Sequence, residues 1–328
     1  MGESARMGKP ERHIKYTTIT GYFLQDAPAT NPAALDYTST NFGLIDRRYS
    51  IDAEFDPKRT KTQWQRFEYL VNKLNKDSEE GVQYKVLFMG RHGQGDHNVA
   101  EAFYGSEAWD CYWSLQDGND TTTWADADLT SKGRDEAIKG NKFWSSLLAT
   151  QFTPAPESYY VSPLTRCLET CRLTFNPLTL PSDRPFKPTI KELFREVIGV
   201  HTCDRRSTKN HIHEQYPEWV IEEGFTEEDE LWKSDERETA DGMDIRTRVV
   251  LDDVFNHDKN TWISITSHSG EIASILRVLE HREFNLGTGQ AIPVLVKAEI
   301  VEGHSTIPSG PPQTTVSTCS APPAARTP

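Results

Sequence analysis

The chain has 328 residues and a formal net charge of −13, and 36% of its residues are hydrophobic. The excess of acidic residues works against nonspecific binding to nucleic acid or anionic lipid, because both attract basic surfaces. No apolar run approaches the roughly 20 residues that cross a bilayer, and no apolar stretch behind a basic region marks a secretory signal. Five cysteines without a regular spacing fit a reducing compartment better than a disulfide framework. We therefore predict a cytoplasmic protein, with the nucleus left open, that binds neither nucleic acid nor membrane.

Composition divides the chain into four segments. Residues 1–14 and 305–328 are predicted to be disordered, because the first segment is polar and the second is rich in Pro, Ser, Thr and Ala. Residues 15–82 are predicted to form an irregular arm and a helix that pack on the core. Apolar residues in 60–76 recur at spacings of three and four, which predicts that amphipathic helix. Residues 83–304 are predicted to form the main domain.

The main domain alternates apolar strands with helical patterns. Strands are predicted at 84–90, 158–162, 262–267 and 292–300, and helical patterns cover 130–151, 244–255 and the segment after Gly270. Such alternation is typical of βαβ units and a mostly parallel sheet covered on both faces. We therefore predict an α/β fold, a three-layer αβα sandwich. Ligands of such sheets bind beyond the carboxyl ends of the strands.

The first of these strands ends in Arg91, His92 and Gly93, and Asn98 lies five residues after Gly93. This arrangement places an imidazole beside a guanidinium in a glycine-containing loop, where several donors can converge on a tetrahedral anion. Transfer of a phosphoryl group onto histidine is the chemistry that this arrangement suggests.

Four further segments carry recognisable patterns, and three of them lie at a predicted strand end or helix start. Ser162-Pro163-Leu164-Thr165-Arg166-Cys167-Leu168-Glu169-Thr170 places Arg166 in the first turn of a helix, since proline suits an early helical position. His268 lies at a strand-to-helix junction in Ser267-His268-Ser269-Gly270. The other two segments are Leu193-Phe194-Arg195-Glu196-Val197-Ile198-Gly199 and Asp126-Ala127-Asp128-Leu129-Thr130, with Gly133 three residues later.

Together the five segments resemble the histidine phosphatase superfamily, also called the phosphoglycerate mutase-like family, over about residues 84 to 296. The resemblance implies that 83–304 is the catalytic domain and that His92 becomes a phosphohistidine. It implies that Arg91, Asn98, Arg166 and His268 bind the phosphoryl group, with no metal and no cofactor. One branch of the family has an Asp after the second histidine, where this chain has Ser269. The Arg195–Gly199 stretch resembles the acid segment of the other branch, so the resemblance implies that Glu196 is the acid, with Glu101 as the substitute.

The resemblance favours a phosphatase that hydrolyses a phosphate monoester of a small organic molecule. A phosphomutase of the phosphoglycerate mutase type and an organophosphate hydrolase of specialised metabolism are the alternatives, and a binding protein with a dead site is the least favoured. Its partner is then a small phosphorylated substrate. The sequence does not determine the oligomeric state.

Several other features have two interpretations each. Arg205 and Arg206 either read a second anionic group of the substrate or pair with the acidic 222–238 region. The aromatic loop 103–124 either roofs the pocket or packs on the body, and 215–232 is a second aromatic segment that a minimal family domain lacks. Cys167 and Cys171 are predicted to face the core. His201, Cys203, His211 and His213 match no four-ligand zinc pattern well, so we predict no metal site.

Overall fold

The structure, a computed structural model, describes residues 11–305, 308 and 310–323. The strands in these ranges are β1 (Arg12–Thr18), β2 (Val82–Arg91), β3 (Ser158–Val161), β4 (Pro188–Ile190), β5 (Val220–Ile221), β6 (Glu236–Glu238), β7 (Trp262–Ser267), β8 (Ala291–Glu302) and β9 (Gln313–Thr315). The α-helices are α1 (Asp52–Phe55), α2 (Gln63–Lys76), α3 (Asp96–Tyr104), α4 (Ser106–Cys111), α5 (Ser131–Ser146), α6 (Thr165–Phe175), α7 (Lys209–Gln215), α8 (Ala240–His257) and α9 (Ser269–Val278). None of the helices in these ranges is long and apolar enough to cross a membrane.

Seven strands form one sheet in the order β1-β8-β2-β7-β3-β4-β5. The run from β2 to β5 is parallel, whereas β8 is antiparallel to both β2 and β1. The α/β fold with a mostly parallel sheet is therefore confirmed. The four strands predicted from apolar runs are β2, β3, β7 and β8.

Alternate residues of β2 serve the two faces of the sheet, as the period of a strand requires. Val86 and Phe88 pack in one core with residues of α2, α5 and α6. Leu87 and Met89 pack in a second core with residues of α8 and α9. Helices thus cover both faces, which is the three-layer sandwich that the sequence predicts.

The N-terminal residues belong to the sheet, contrary to the disorder predicted for 1–14. Residues 12–18 form β1 and pair with β8 along their whole length, from Arg12 opposite Glu302 to Thr18 opposite Val296. The prediction was wrong for 12–14 because an edge strand takes its stability from a partner almost 300 residues away. Residues 1–10 lie outside the described part of the chain.

The C-terminal residues are also ordered by distant partners, contrary to the predicted tail at 305–328. Here the segment 310–323 is called the strap. Its strand β9 pairs with β6, and Cys319 forms a disulfide with Cys111 of α4. This bond was not expected, because the irregular spacing of the five cysteines fits a reducing compartment better than a disulfide framework. Residues 306–307, 309 and 324–328 lie outside the described ranges.

Candidate active site

The register of the sheet brings the two predicted histidines together. Arg91 at the end of β2 pairs with Ser267 at the end of β7, so His92 and His268 follow at the same edge of the sheet. Their ring centroids lie 5.1 Å apart. The site thus forms at the carboxyl ends of parallel strands, where ligands of α/β sheets bind.

His92 is buried, and its hydrogen bonding fixes its tautomer. Its Nδ1 lies 2.7 Å from the carbonyl oxygen of Gly93, which can only accept, so Nδ1 carries the proton. Burial, followed by the charges of Arg166 and Arg91, holds the pKa of His92 well below its usual range. The ring is therefore neutral, and Nε2 holds the lone pair that a nucleophile needs.

The loop that carries His92 is held by two of the patterned segments. The Gly93 amide donates to Thr170 Oγ1 at 3.0 Å, and the Thr130 amide donates to the Gln94 carbonyl at 2.9 Å. Glycine is needed on both sides, because an added Cβ at Gly93 would meet the Gly133 carbonyl oxygen at 2.2 Å and one at Gly133 would meet the Gln94 carbonyl oxygen at 2.1 Å. The Asp126–Gly133 segment thus fixes the loop that carries His92.

His268 is held by the start of the Ser162–Thr170 segment. Ser162 Oγ lies 2.7 Å from its Nε2, and Cys167 Sγ lies 3.3 Å from the same nitrogen. Burial, with Arg166 and His92 adding to it, holds the pKa of His268 well below its usual range. A second neutral imidazole therefore faces the same site.

Arg166 and Arg91 each have a buried donor atom, Nε, that no described residue accepts from. Arg166 donates to the Cys203 carbonyl at 2.6 Å and to Asp204 Oδ1 at 3.0 Å, and Arg91 donates to the Leu286 carbonyl at 2.8 Å. The Nε atoms of both arginines are buried and have no acceptor among the described residues. Because buried donors are nearly always paired, these atoms favour an anionic ligand with several oxygens.

Asn98 lies in the first turn of α3. Its Oδ1 accepts from the Gly95 amide at 3.0 Å, so the carbonyl side of the amide is used by the loop. Its Nδ2 makes no hydrogen bond to the part of the chain that the structure describes, which leaves that amide group available to a ligand.

Glu196 contacts the residues that directly follow the second histidine. One of its carboxylate oxygens accepts from the Gly270 amide at 3.1 Å, and the other accepts from the Val197 amide at 3.2 Å. Burial and then the charge of Asp204 raise the pKa of this carboxyl above its usual range. Such a group can hold a proton and release it, as a general acid requires. The substitute candidate Glu101 instead accepts from Ser106 Oγ at 3.1 Å, on a partly exposed face of α3.

Comparison with known proteins agrees with this geometry. The model of the histidine phosphatase superfamily (branch 1) matches residues 87–292. The chain belongs to the histidine phosphatase superfamily. It is 51% identical over 286 residues to a protein of Arthroderma benhamiae named "Probable phosphoglycerate mutase", with 87% of this chain and 85% of that protein covered. It is 37% identical over 287 residues to "Phosphomutase-like protein 3" of Candida albicans, with 87% and 81% covered. A solved mycobacterial glucosyl-3-phosphoglycerate phosphatase aligns with a TM-score of 0.38 and 16% identity, over 67% of this chain and 100% of that chain.

Arg205 and Arg206, for which the sequence left two interpretations, both pair with acidic side chains. Arg206 is buried and donates to Glu192 Oε2 at 2.8 Å and to backbone carbonyls of 226–228. Arg205 donates to Asp117 Oδ1 at 2.8 Å. The interpretation that Arg206 binds a second anionic group of the substrate is therefore wrong, since its guanidinium already donates to Glu192 and to backbone carbonyls.

The cysteine and histidine candidates also have clear positions. Cys167 and Cys171 are buried on α6, as predicted. Ligand atoms of His201, Cys203 and Asp204 lie within 4.8 Å of one another, whereas His211 and His213 are exposed on α7. A cation would fit poorly at the buried group, because Asp204 is already paired with Arg166 at 3.0 Å and Arg237 at 3.5 Å.

The aromatic loop 103–124 packs largely on itself. Trp109 and Trp124 are buried with Cys203 in a small core of their own, and Tyr104 stacks on Trp113 with ring centroids 4.0 Å apart. Trp109 also lies 6.2 Å from His201, measured between ring centroids. The loop is thus a packed insertion placed near the Asp204 side of the site.

Sequence reasoning assigned no role to two residues of this site, Asp204 and His97. Asp204 is buried between Arg166 and Arg237, and His97 lies beside His92 with ring centroids 5.4 Å apart. His97 lies between Gly93 and Asn98, inside the Arg91–Asn98 segment, so its position there was an available signal. Asp204 had no comparable signal, because its partners come from distant segments.

Proposed function

We propose that this histidine phosphatase superfamily member is a phosphatase that hydrolyses phosphate monoesters of small organic molecules through a phosphohistidine on His92. The observation that carries the proposal is the neutral ring of His92, with Nε2 available, beside the buried and unpaired Nε atoms of Arg91 and Arg166. Phosphoryl transfer depends mainly on positioning and on positive charge around the equatorial oxygens, and this arrangement offers both.

In the proposed first step, Nε2 of His92 attacks phosphorus as the bond from phosphorus to the substrate oxygen breaks. Arg91, Arg166, His268 and Asn98 hold the phosphoryl oxygens, and Glu196 gives its proton to the leaving alkoxide. In the second step a water attacks the phosphohistidine, and the ionised Glu196 takes its proton. Inorganic phosphate leaves, and both His92 and Glu196 return to their starting states.

The two pKa shifts fit this division of roles. With ordinary pKa values of about 6.5 for His and about 4.3 for Glu, a neutral imidazole and a protonated carboxyl would rarely coexist at one pH. Here the pKa of His92 is lowered and that of Glu196 is raised. Both shifts move toward a pH range in which the nucleophile is neutral while the acid still holds its proton.

A phosphomutase is the second candidate, because the names of the relatives point to it. A mutase of phosphoglycerates must hold a second anionic group of its substrate while phosphate is transferred. Arg206 is not available for that task, and Arg205 is paired with Asp117. This use of the two arginines favours hydrolysis of a monoester over transfer between two sites of a sugar acid.

The test is to incubate the purified protein with para-nitrophenyl phosphate and with phosphoglycerates, with and without EDTA. We expect release of inorganic phosphate that EDTA does not suppress, and an acid-labile phosphoprotein in rapidly quenched samples. Isomerisation of phosphoglycerates without net phosphate release would establish the mutase instead. Absence of both activities would refute the proposal.

A cytoplasmic address stays a prediction. The disulfide between Cys111 and Cys319 removes the support that cysteine usage gave to it. Thiol titration of the protein isolated from its native cells, with and without reductant, would show whether that disulfide forms there.

A further inference from the structure

His97 is a third histidine in the wall of the site. It is the second residue of α3, directly before Asn98, and only 9% of its surface is exposed. Its ring centroid lies 5.4 Å from that of His92, close to the 5.1 Å that separates His92 from His268. The proposed nucleophile therefore has two imidazole neighbours at similar distances.

The fold buries the His97 ring without giving its Nδ1 a hydrogen-bond partner among the described residues. Its Nδ1 is buried and has no hydrogen-bond partner in the described ranges. The ring packs against Gly95, where an added Cβ would come within 2.7 Å of Nδ1. A histidine that only fills a core usually finds partners for its nitrogens, because an unpaired buried polar group is costly.

The unpaired Nδ1 bears on the tautomer. A buried N–H without an acceptor is rarer in proteins than an acceptor whose lone pair is unused. The proton of a neutral His97 is therefore favoured on Nε2. The ring is neutral because burial, followed by Arg166, His92 and Arg91, holds its pKa well below the usual range.

We infer that His97 donates a hydrogen bond from Nε2 to a nonbridging oxygen of the phosphoryl group during transfer. The inference rests on the proposed function of the site. The geometry that supports it is the closeness of the ring to His92 and the unpaired Nδ1, together with the unpaired Nε atoms of both arginines. A neutral donor adds to this set without placing a further charge beside the nucleophile.

This role predicts a different substrate dependence from that of Glu196. The nonbridging oxygens carry the charge of the transferring group whatever the leaving group is. Loss of a donor to them should therefore slow alkyl and aryl phosphates alike. Loss of the acid should instead slow alkyl phosphates more, because a phenol leaves without much protonation.

The experiment compares His97→Phe, which keeps a ring and removes both nitrogens, with His97→Gln, whose amide can donate from a similar reach. His281→Phe is the matched control, since His281 is equally buried and its Nδ1 lies 2.7 Å from the carbonyl of Arg282. We expect His97→Phe to lower kcat/KM about 10- to 100-fold on both glycerol phosphate and para-nitrophenyl phosphate. His97→Gln should regain most of that loss. His281→Phe should stay within about twofold of the unaltered protein, because His281 is not among the residues of the site.

Near-normal activity of folded His97→Phe would overturn the inference. So would a loss confined to glycerol phosphate, or a His97→Gln variant no better than His97→Phe. If His97→Phe does not fold, His97→Leu against His97→Gln gives the same contrast between side chains of similar size. If the unaltered protein releases no phosphate, the proposed function fails first. The role of His97 is then tested by measuring the binding of orthovanadate by calorimetry. Weaker binding by His97→Phe than by the unaltered protein would support the role, and equal affinities would refute it.

Discussion

Gly270→Ala offers a test of the acid through a single methyl group. A Cβ built on Gly270 would come within 2.1 Å of Glu196 Oε1 and 3.1 Å of its carboxyl carbon. The same glycine donates its amide to Glu196 at 3.1 Å. The carboxylate therefore lies directly on the glycine, and any side chain at position 270 must push it away.

The size of the displacement sets the expected loss. Carbon and oxygen atoms that are not bonded to each other rarely approach closer than about 3.2 Å, so the carboxylate must move by about 1 Å. Misplacement of a reacting group by about 1 Å can cost roughly 100-fold in rate. General acid catalysis itself contributes roughly 100- to 10,000-fold. We therefore expect Gly270→Ala to lower kcat on alkyl phosphates by about 100-fold.

The thermal stability of Gly270→Ala, unlike its activity, should not fall. Gly270 lies in the first turn of α9 and has no positive φ, so alanine fits its backbone. Glycine costs about 1 kcal/mol relative to alanine within a helix, although less in the first turn. The displaced atom belongs to the end of a flexible side chain, which can yield. We expect a thermal midpoint at or slightly above that of the unaltered protein.

The assay measures kcat on glycerol phosphate and on para-nitrophenyl phosphate, with thermal unfolding in parallel. Gly140→Ala in α5 is the matched control, because its Cβ would meet atoms at 3.4 Å or more. It should leave both rates unchanged. If folded Gly270→Ala hydrolyses glycerol phosphate at the normal rate, the carboxylate at Gly270 is not the acid.

The remaining predictions concern the nucleophile, the pH profile and the strap. His92→Ala should abolish turnover and leave the melting curve nearly unchanged, and retention of more than about a tenth of the activity would exclude a covalent role for His92. The profile of kcat/KM against pH should fall on the acid side below the lowered pKa of His92 and on the alkaline side above the raised pKa of Glu196. Glu196→Gln should remove the alkaline fall on alkyl phosphates, and an unchanged alkaline fall would assign it to another group. Cys319→Ser should let a protease cut the strap at least about tenfold faster under native conditions, whereas equal rates would show that β9 pairing alone holds it.

The central sheet and the positions of the histidines were predictable because their signals are local. An apolar run that stops at Arg91 marks the end of β2, and another that stops at Ser267 marks the end of β7. Parallel strands place their carboxyl ends at one edge, so the closeness of His92 and His268 follows from the pattern. Pro163 lies before the N-cap Leu164, not at an early helical position as predicted, but Arg166 still falls in the first turn of α6.

The parts that the sequence did not predict depend on partners far along the chain. In β1 only Ile14 and Tyr16 are large apolar residues on the buried face, which is too short an alternation to predict a strand, and β8 pairs with β1 along its whole length. The strap reads as a low-complexity tail, yet β6 and Cys111 hold it. Composition measures what a segment can bury by itself, and it does not measure what a distant partner supplies.

Asp204 shows how these distant contacts reach the site. Its carboxylate joins Arg166 of α6 at 3.0 Å to Arg237 of β6 at 3.5 Å, and Arg237 also donates to the Gly199 carbonyl, three residues after Glu196. β6 in turn pairs with the strap. A guanidinium that must bind phosphate needs a fixed direction, and a buried carboxylate on its far side supplies one. The C-terminal segment thus lies one strand away from the groups that orient Arg166, although nothing in its own sequence points to the site.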